Sequence, residues 1–135
     1  METKKKVFIV PSQTESIKKI SSKILDSLKP YGVSADTLFD IRLSTEEAVR
    51  NAIVHGNLSD KNLLTTVSYW IKDGAIFIEV EDEGVGFDRG ALPDPTTEDN
   101  LMKGSGRGVY LIDRLMDSAR FNESGNKITM TKRLK

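Results

Sequence analysis

Near residue 56 the spacing of apolar side chains changes from about one in 3.6 to one in two, a switch that demands helices first and a sheet after them. Ahead of the switch, Ile17, Ile20, Ile24 and Leu28 recur at helical spacing, and Pro30 with Gly32 stops the run. Ser12 or Thr14 is placed to cap this helix. A second helix opens at Ser34 or Asp36, carries Leu38, Ile41, Ala48, Val49, Ala52 and Ile53 on one face, and ends at Gly56-Asn57. Beyond it, 64–72 and 75–81 read as strands joined by Asp73-Gly74, a strong hairpin signal. Ile76, Ile78 and Val80 alternate with Phe77, Glu79 and Glu81, so one face of that strand is buried. The apolar run Val7 to Val10, closed by Pro11, predicts a strand at the start of the chain. A third helix carries Val109, Leu111, Ile112, Leu115 and Met116, and two strands, 118–122 and 127–134, turn at Ser124-Gly125-Asn126. The order β-α-α-β-β-loop-α-β-β predicts an α/β (α+β) fold: a two-layer sandwich with a mixed, mostly antiparallel sheet and helices on one face.

A chain of 135 residues is long enough for one core, and 1–135 reads as a single domain. Twenty basic residues balance twenty acidic ones, so no global field draws the protein to nucleic acid or to an anionic membrane. With no cysteine there is neither disulfide nor thiolate metal site, and one histidine excludes a multi-histidine centre. No apolar run approaches the roughly 20 residues of a membrane span. The basic start, Met1 to Lys6, is not followed by the apolar region of about 7–15 residues that a signal peptide needs. The expected location is cytoplasmic.

Three constellations stand outside this pattern. Glu47 and Asn51, four apart on the second helix, project from one face. Such a pair is either a solvated surface or a working site, in which the asparagine oxygen holds Mg²⁺ and the carboxylate deprotonates a hydroxyl. Asp82-Glu83-Gly84-Val85-Gly86-Phe87 leaves the end of a strand. It is either a polar turn or a place where backbone approaches a flat ligand and Asp82 accepts from an amino group such as that of adenine. Gly104-Ser105-Gly106-Arg107-Gly108 opens the third helix. It is either a plain loop or a cradle whose N–H groups hold phosphate oxygens, with Lys103 and Arg107 as added cations. A Rossmann reading fails because no strand precedes these glycines, and a P-loop reading fails because no Gly-Lys-Ser/Thr follows. The stretch between, rich in polar residues and carrying Gly90, Pro93 and Pro95, is long for a loop and suits a lid over about 87–105. Together the three offer a metal ligand beside a carboxylate, an acceptor for a base, and a phosphate cradle.

These segments resemble the boxes of the GHKL (Bergerat-fold) ATPases: Glu47 to Gly56 the N-box, Asp82 to Gly86 the G1 box, Gly104 to Gly108 the G2 box. Ser44 to Asn51, and Gly106 to Ile112 running on to Leu115-Met116-Asp117, are similar to the compact anti-sigma-factor serine-protein kinases of the RsbW type. The resemblance covers nearly the whole chain. It implies ATP and Mg²⁺ as cofactors, Glu47 as general base, Asn51 as Mg²⁺ ligand and Asp82 as the adenine contact. Gly84, Gly86, Gly104, Gly106 and Gly108 would shape pocket and lid, with Lys103, Ser105 and Arg107 at the phosphates. Members bind a sigma factor, phosphorylate a serine of an anti-anti-sigma (STAS-domain) partner, and commonly dimerise; direct contact with nucleic acid or membrane is not implied. Lys19 falls near a basic partner-contact position of the family, against the simpler reading of a solvated lysine. Gly125-Asn126 departs from the usual Gly-Thr, which puts one adenine contact in question. His55 suits either the phosphates or a helix end, Tyr69 and Trp70 suit sheet packing, and Phe87 suits a pocket wall or a lid staple. The alternatives are a non-catalytic ATP-binding partner-switching module and a histidine-kinase-type ATPase domain.

Overall fold

The computed structural model describes residues 2–84 and 104–135, with backbone alone at 104–107. In chain order it has β1 (Lys6–Pro11), α1 (Glu15–Leu28), a 3₁₀ turn (Lys29–Tyr31), α2 (Ala35–Arg50), a π-helical turn (Asn51–Gly56), β2 (Leu64–Lys72) and β3 (Ala75–Glu81). After the segment outside the described residues come α3 (Gly104–Leu115), β4 (Ser118–Phe121) and β5 (Lys127–Arg133). The five strands form one sheet in the order β1-β2-β3-β5-β4. Each of its pairings is antiparallel, so the expected mixture of directions reduces to one among the described residues.

Local chemistry accounts for most of these boundaries. Lys72 pairs with Ala75 across Asp73 and Gly74, whose φ values of 52° and 74° are both left-handed, as a two-residue primed turn requires. Gly32 at φ 63° ends the 3₁₀ turn after α1, where a side chain would be strained. Ser34 caps α2: its extended backbone leaves Oγ to accept the Thr37 N–H at 3.3 Å. Ser34→Ala is expected to cost about 1 kcal/mol, read from the midpoint of urea unfolding.

α3 differs from expectation. It begins at Gly104 rather than at Val109, so the glycine run forms its first turn instead of a loop before it. Glycine is a poor helix former, yet packing of α3 against α2 overrides that preference.

The core lies between the three helices and one face of the sheet. Ile20, Ile24 and Leu28 of α1, Ile41 and Val49 of α2, and Ile112 of α3 meet Val67, Ile76, Ile78 and Met130, all essentially without solvent contact. Phe8 and Tyr69 stack on this inner side with ring centroids 5.9 Å apart. Trp70 and Phe77 stack at 5.4 Å on the other side, next to Glu79 and its partners Lys5 and Lys127. Both Tyr69 and Trp70 therefore serve sheet packing. No helix among the described residues is long and apolar enough to cross a membrane.

Candidate functional site

Glu47 and Asn51 sit one turn apart at the end of α2, where the helix widens into its π-helical turn. Such widenings recur at functional positions. Arg50 Nη1 donates to Glu47 Oε1 at 2.9 Å, which holds the carboxylate against its own helix. Across from the pair stands Gly108, in the second turn of α3. A Cβ there would lie 3.0 Å from Asn51 Nδ2 and 3.1 Å from Glu47 Oε2. Glycine is what lets the α3 backbone reach these polar groups, so two of the three sequence constellations meet.

The third is brought to the same place by β3. Asp82, only 7% exposed, follows the last residue of that strand, and its Oδ1 accepts the Gly84 N–H at 2.9 Å. Beneath the carboxylate lies Gly56, the end of the π-helical turn: a Cβ on Gly56 would overlap the Asp82 carboxylate. A Cβ on Gly84 would overlap the Gly56 carbonyl oxygen. The two glycines thus allow a backbone contact that no side chain permits. Asn126 completes the frame, its carbonyl accepting the Asp82 N–H at 2.9 Å and its Nδ2 donating to the Asp82 carbonyl at 3.2 Å. Between Asn51, Asp82 and Asn126, with Ala52, Val80 and Ile128 as apolar walls, is a cavity of about 20 Å³.

Burial pushes the Asp82 carboxyl above the usual aspartate range, the Glu81 charge adds to this, and the Gly84 hydrogen bond offsets part of it. The raised folded-state value means that the charged form is less welcome in the folded protein than in the unfolded chain. The contribution of this group to stability is therefore fully present below the usual aspartate range and is lost as pH rises through the folded value. Asp82→Asn, which keeps an acceptor for Gly84, is expected to melt at higher temperature than the parent at neutral pH. The difference should vanish at about pH 3, where both forms are uncharged. Equal melting temperatures at neutral pH would show that the buried charge carries no such cost.

Of the residues singled out in the sequence, Glu47, Asn51, Asp82, Gly84 and Gly108 come together. Gly86, Phe87, Lys103 and most of the expected lid lie outside the described residues, as do the side chains of Ser105 and Arg107. Gly104, Ser105, Gly106 and Arg107 contribute backbone to the first turn of α3. Lys19 is exposed on α1, and His55 is exposed within the π-helical turn. Gly56 reads in the sequence as the end of the N-box segment and Asn57 only as a helix end, yet they carry the contact with Asp82 and Glu83. The donor set fits a magnesium nucleotide in kind. Asn51 offers a hard oxygen beside a carboxylate, and Asp82 Oδ2 has no hydrogen-bond partner among the described residues, leaving an acceptor for an amino-bearing base.

The model of the histidine kinase-like ATPase domain matches residues 10–132. The chain is 32% identical over 133 residues to the serine-protein kinase RsbW of Bacillus subtilis (strain 168), covering 93% of this chain and 82% of that protein. It is 33% identical over 126 residues to the anti-sigma F factor of Geobacillus thermodenitrificans (strain NG80-2), covering 90% and 84%. In fold it is similar, with a TM-score of 0.66 and 20% identity, to a crystal structure of the RsbU and RsbW domains of a Mycobacterium tuberculosis protein. That superposition takes in 98% of this chain and 33% of the other, so the chain spans about a third of that larger protein.

Proposed function

Because the chain belongs to the histidine kinase-like ATPase domain family, with the RsbW-type serine-protein kinases and anti-sigma F factors as relatives, we propose that it is an ATP-dependent anti-sigma kinase. Its two activities are to hold a sigma factor and to phosphorylate a serine of a STAS-domain partner. A cytoplasmic location and pairing with a second copy of the chain belong to the same reading. The observation that carries it is the meeting of Glu47, Asn51 and Gly108 at one end of the site with Asp82 and Gly56 at the other.

In this reading the adenine amino group donates to Asp82, while the glycines at 56 and 84 let the two backbone segments close on each other around that carboxylate. Asn51 would hold Mg²⁺, which when bound would supply charge neutralisation at the phosphates. Backbone N–H groups at the start of α3, with Lys103 and Arg107, stabilise the phosphoryl group in transit. Glu47 takes the proton of the partner's serine as the bond from its oxygen to the γ-phosphorus forms and the bond to the β,γ-bridging oxygen breaks, releasing ADP.

The test is direct. Purified protein, Mg-ATP and a STAS partner captured from the native cell should yield phosphoserine, and the same capture should bring down a sigma factor. Phosphate on histidine would move the assignment to the histidine-kinase type, and ATP binding without transfer would leave a partner-switching module. No heat on titration with Mg-ATP would remove the nucleotide reading altogether.

A further inference from the structure

Asn57, directly after the π-helical turn, is fully buried, and the chemistry above makes no use of it. Its Nδ2 donates to Ser12 Oγ at 2.8 Å and to the Leu64 carbonyl at 3.1 Å, with Thr65 Oγ1 at 3.3 Å. Its Oδ1 accepts the Glu83 N–H at 2.9 Å. One amide therefore ties together the end of β1, the start of β2 and the residue that follows Asp82. Glu83 answers from its own side, since its Oε2 accepts the Leu64 N–H at 2.9 Å.

The backbone around Asn57 is held in an unusual path. Its N–H reaches back to Ala52 O at 2.8 Å, and the Ser59 N–H reaches Ile53 O at 2.8 Å. Leu58 and Ser59, neither of them glycine, are both left-handed, with φ 52° and 57°. Successive residues of this kind persist only where surrounding contacts over-determine them; here the Ser59 N–H bonds the Ile53 carbonyl and the Asp60 N–H bonds the Asn57 carbonyl, beside the anchored Asn57 amide. A buried amide with both ends bonded fixes one registry between the elements it joins, which an apolar residue of the same size would not do.

We infer that Asn57 is a positioning residue for base selection. By holding the Glu83 N–H it fixes the Asp82–Gly84 turn against Gly56, and so aims the Asp82 carboxylate at the 6-amino group of a purine. This rests on the nucleotide reading above and adds to it the residue that sets discrimination for that amino group. Ser12, 45 residues away in sequence, is the anchor on the far side.

The experiment compares ATP with purine riboside triphosphate, which lacks the 6-amino group, by calorimetry on the intact chain. The parent prefers ATP. In Asn57→Ala that preference falls by about tenfold, the scale of one hydrogen bond, while affinity for purine riboside triphosphate is kept. A variant that merely loses stability weakens both ligands alike and leaves their ratio unchanged. Should Asn57→Ala fail to fold, Ser12→Ala decides, because it removes one acceptor of Nδ2 and is expected to lower the same ratio about two- to threefold. If the parent prefers ATP and every folded variant keeps the full preference, the inference is overturned and the nucleotide reading stands. A parent that binds neither ligand overturns both, and one that binds the two equally overturns the inference together with the adenine contact of Asp82.

Discussion

Gly56→Ala is expected to weaken ATP binding by roughly a hundredfold, the upper range for a hydrogen bond to a charged group, and to lower the melting temperature as well. The reason is steric. The added Cβ would overlap the Asp82 carboxylate, with Oδ1 of that side chain 2.8 Å from it. Asp82 cannot swing away freely, because its Oδ1 accepts from Gly84 and its backbone is bonded on both sides to Asn126. Something must shift, and whichever group moves, the carboxylate no longer points where an amino group would meet it. Gly84→Ala presses from the opposite side, against the Gly56 carbonyl, and should produce the same loss. Gly32→Ala is the control: no atom lies within 4 Å of its Cβ position, but its φ of 63° strains any side chain. It should cost about 1 kcal/mol of stability and leave ATP affinity unchanged, which separates a general loss of fold from a local loss of binding. Calorimetry with Mg-ATP and thermal melts on all three variants check this. A Gly56→Ala protein that binds ATP like the parent would show that Asp82 is not the base contact.

What could be read from residue order was whatever depends on near neighbours. The helical spacing of Ile17 to Leu28, the serine cap at 34, and the Asp73-Gly74 turn are local properties, and their boundaries matched closely. Glu47, Asn51, Asp82 and Gly108 were legible as chemistry because each belongs to a short motif. Less was legible where distant segments decide the matter. The bond from Asn57 to Ser12 spans 45 residues and the one to Glu83 spans 26, so Asn57 could be seen only as the end of a helix. The π-helical turn has no signature of its own in Asn51 to Gly56, and it ends with Gly56 lying against Asp82, which is 26 residues further on. The early start of α3 was hidden for the opposite reason. Local preference argued for a loop at Gly104 to Gly108, and contact between Gly108 and the end of α2 outweighs that preference. Asn126 reads in the sequence as a departure that puts one adenine contact in question, and its bonds to the Asp82 backbone depend on a residue 44 positions away.

Glu47→Ala should lower phosphoryl transfer to a STAS serine by about 10²–10⁴-fold, the range for loss of a positioned base, with ATP affinity little changed. The two effects separate because the ends of the site are distinct. In the proposed reading the base meets Asp82 above Gly56, whereas Glu47 stands beside Asn51 and Gly108. Its carboxylate is already oriented: Oε1 takes the Arg50 hydrogen bond, which leaves Oε2 on the side facing α3. Glu47→Gln is the sharper variant, since its amide oxygen can still accept from Arg50 while having no capacity to take a proton. If positioning were all that Glu47 contributes, Gln would restore transfer. If proton removal is its contribution, Gln and Ala should be equally slow. Arg50 is half exposed, with 49% of its side chain accessible, so its ion pair is worth little in itself. Arg50→Ala should accordingly slow transfer far less than either change at Glu47. Single-turnover phosphate incorporation at saturating ATP, with calorimetric affinities alongside, resolves these cases. Transfer by Glu47→Gln at the parent rate would rule the carboxylate out as the base, and a matching loss of ATP affinity would assign it to nucleotide binding instead.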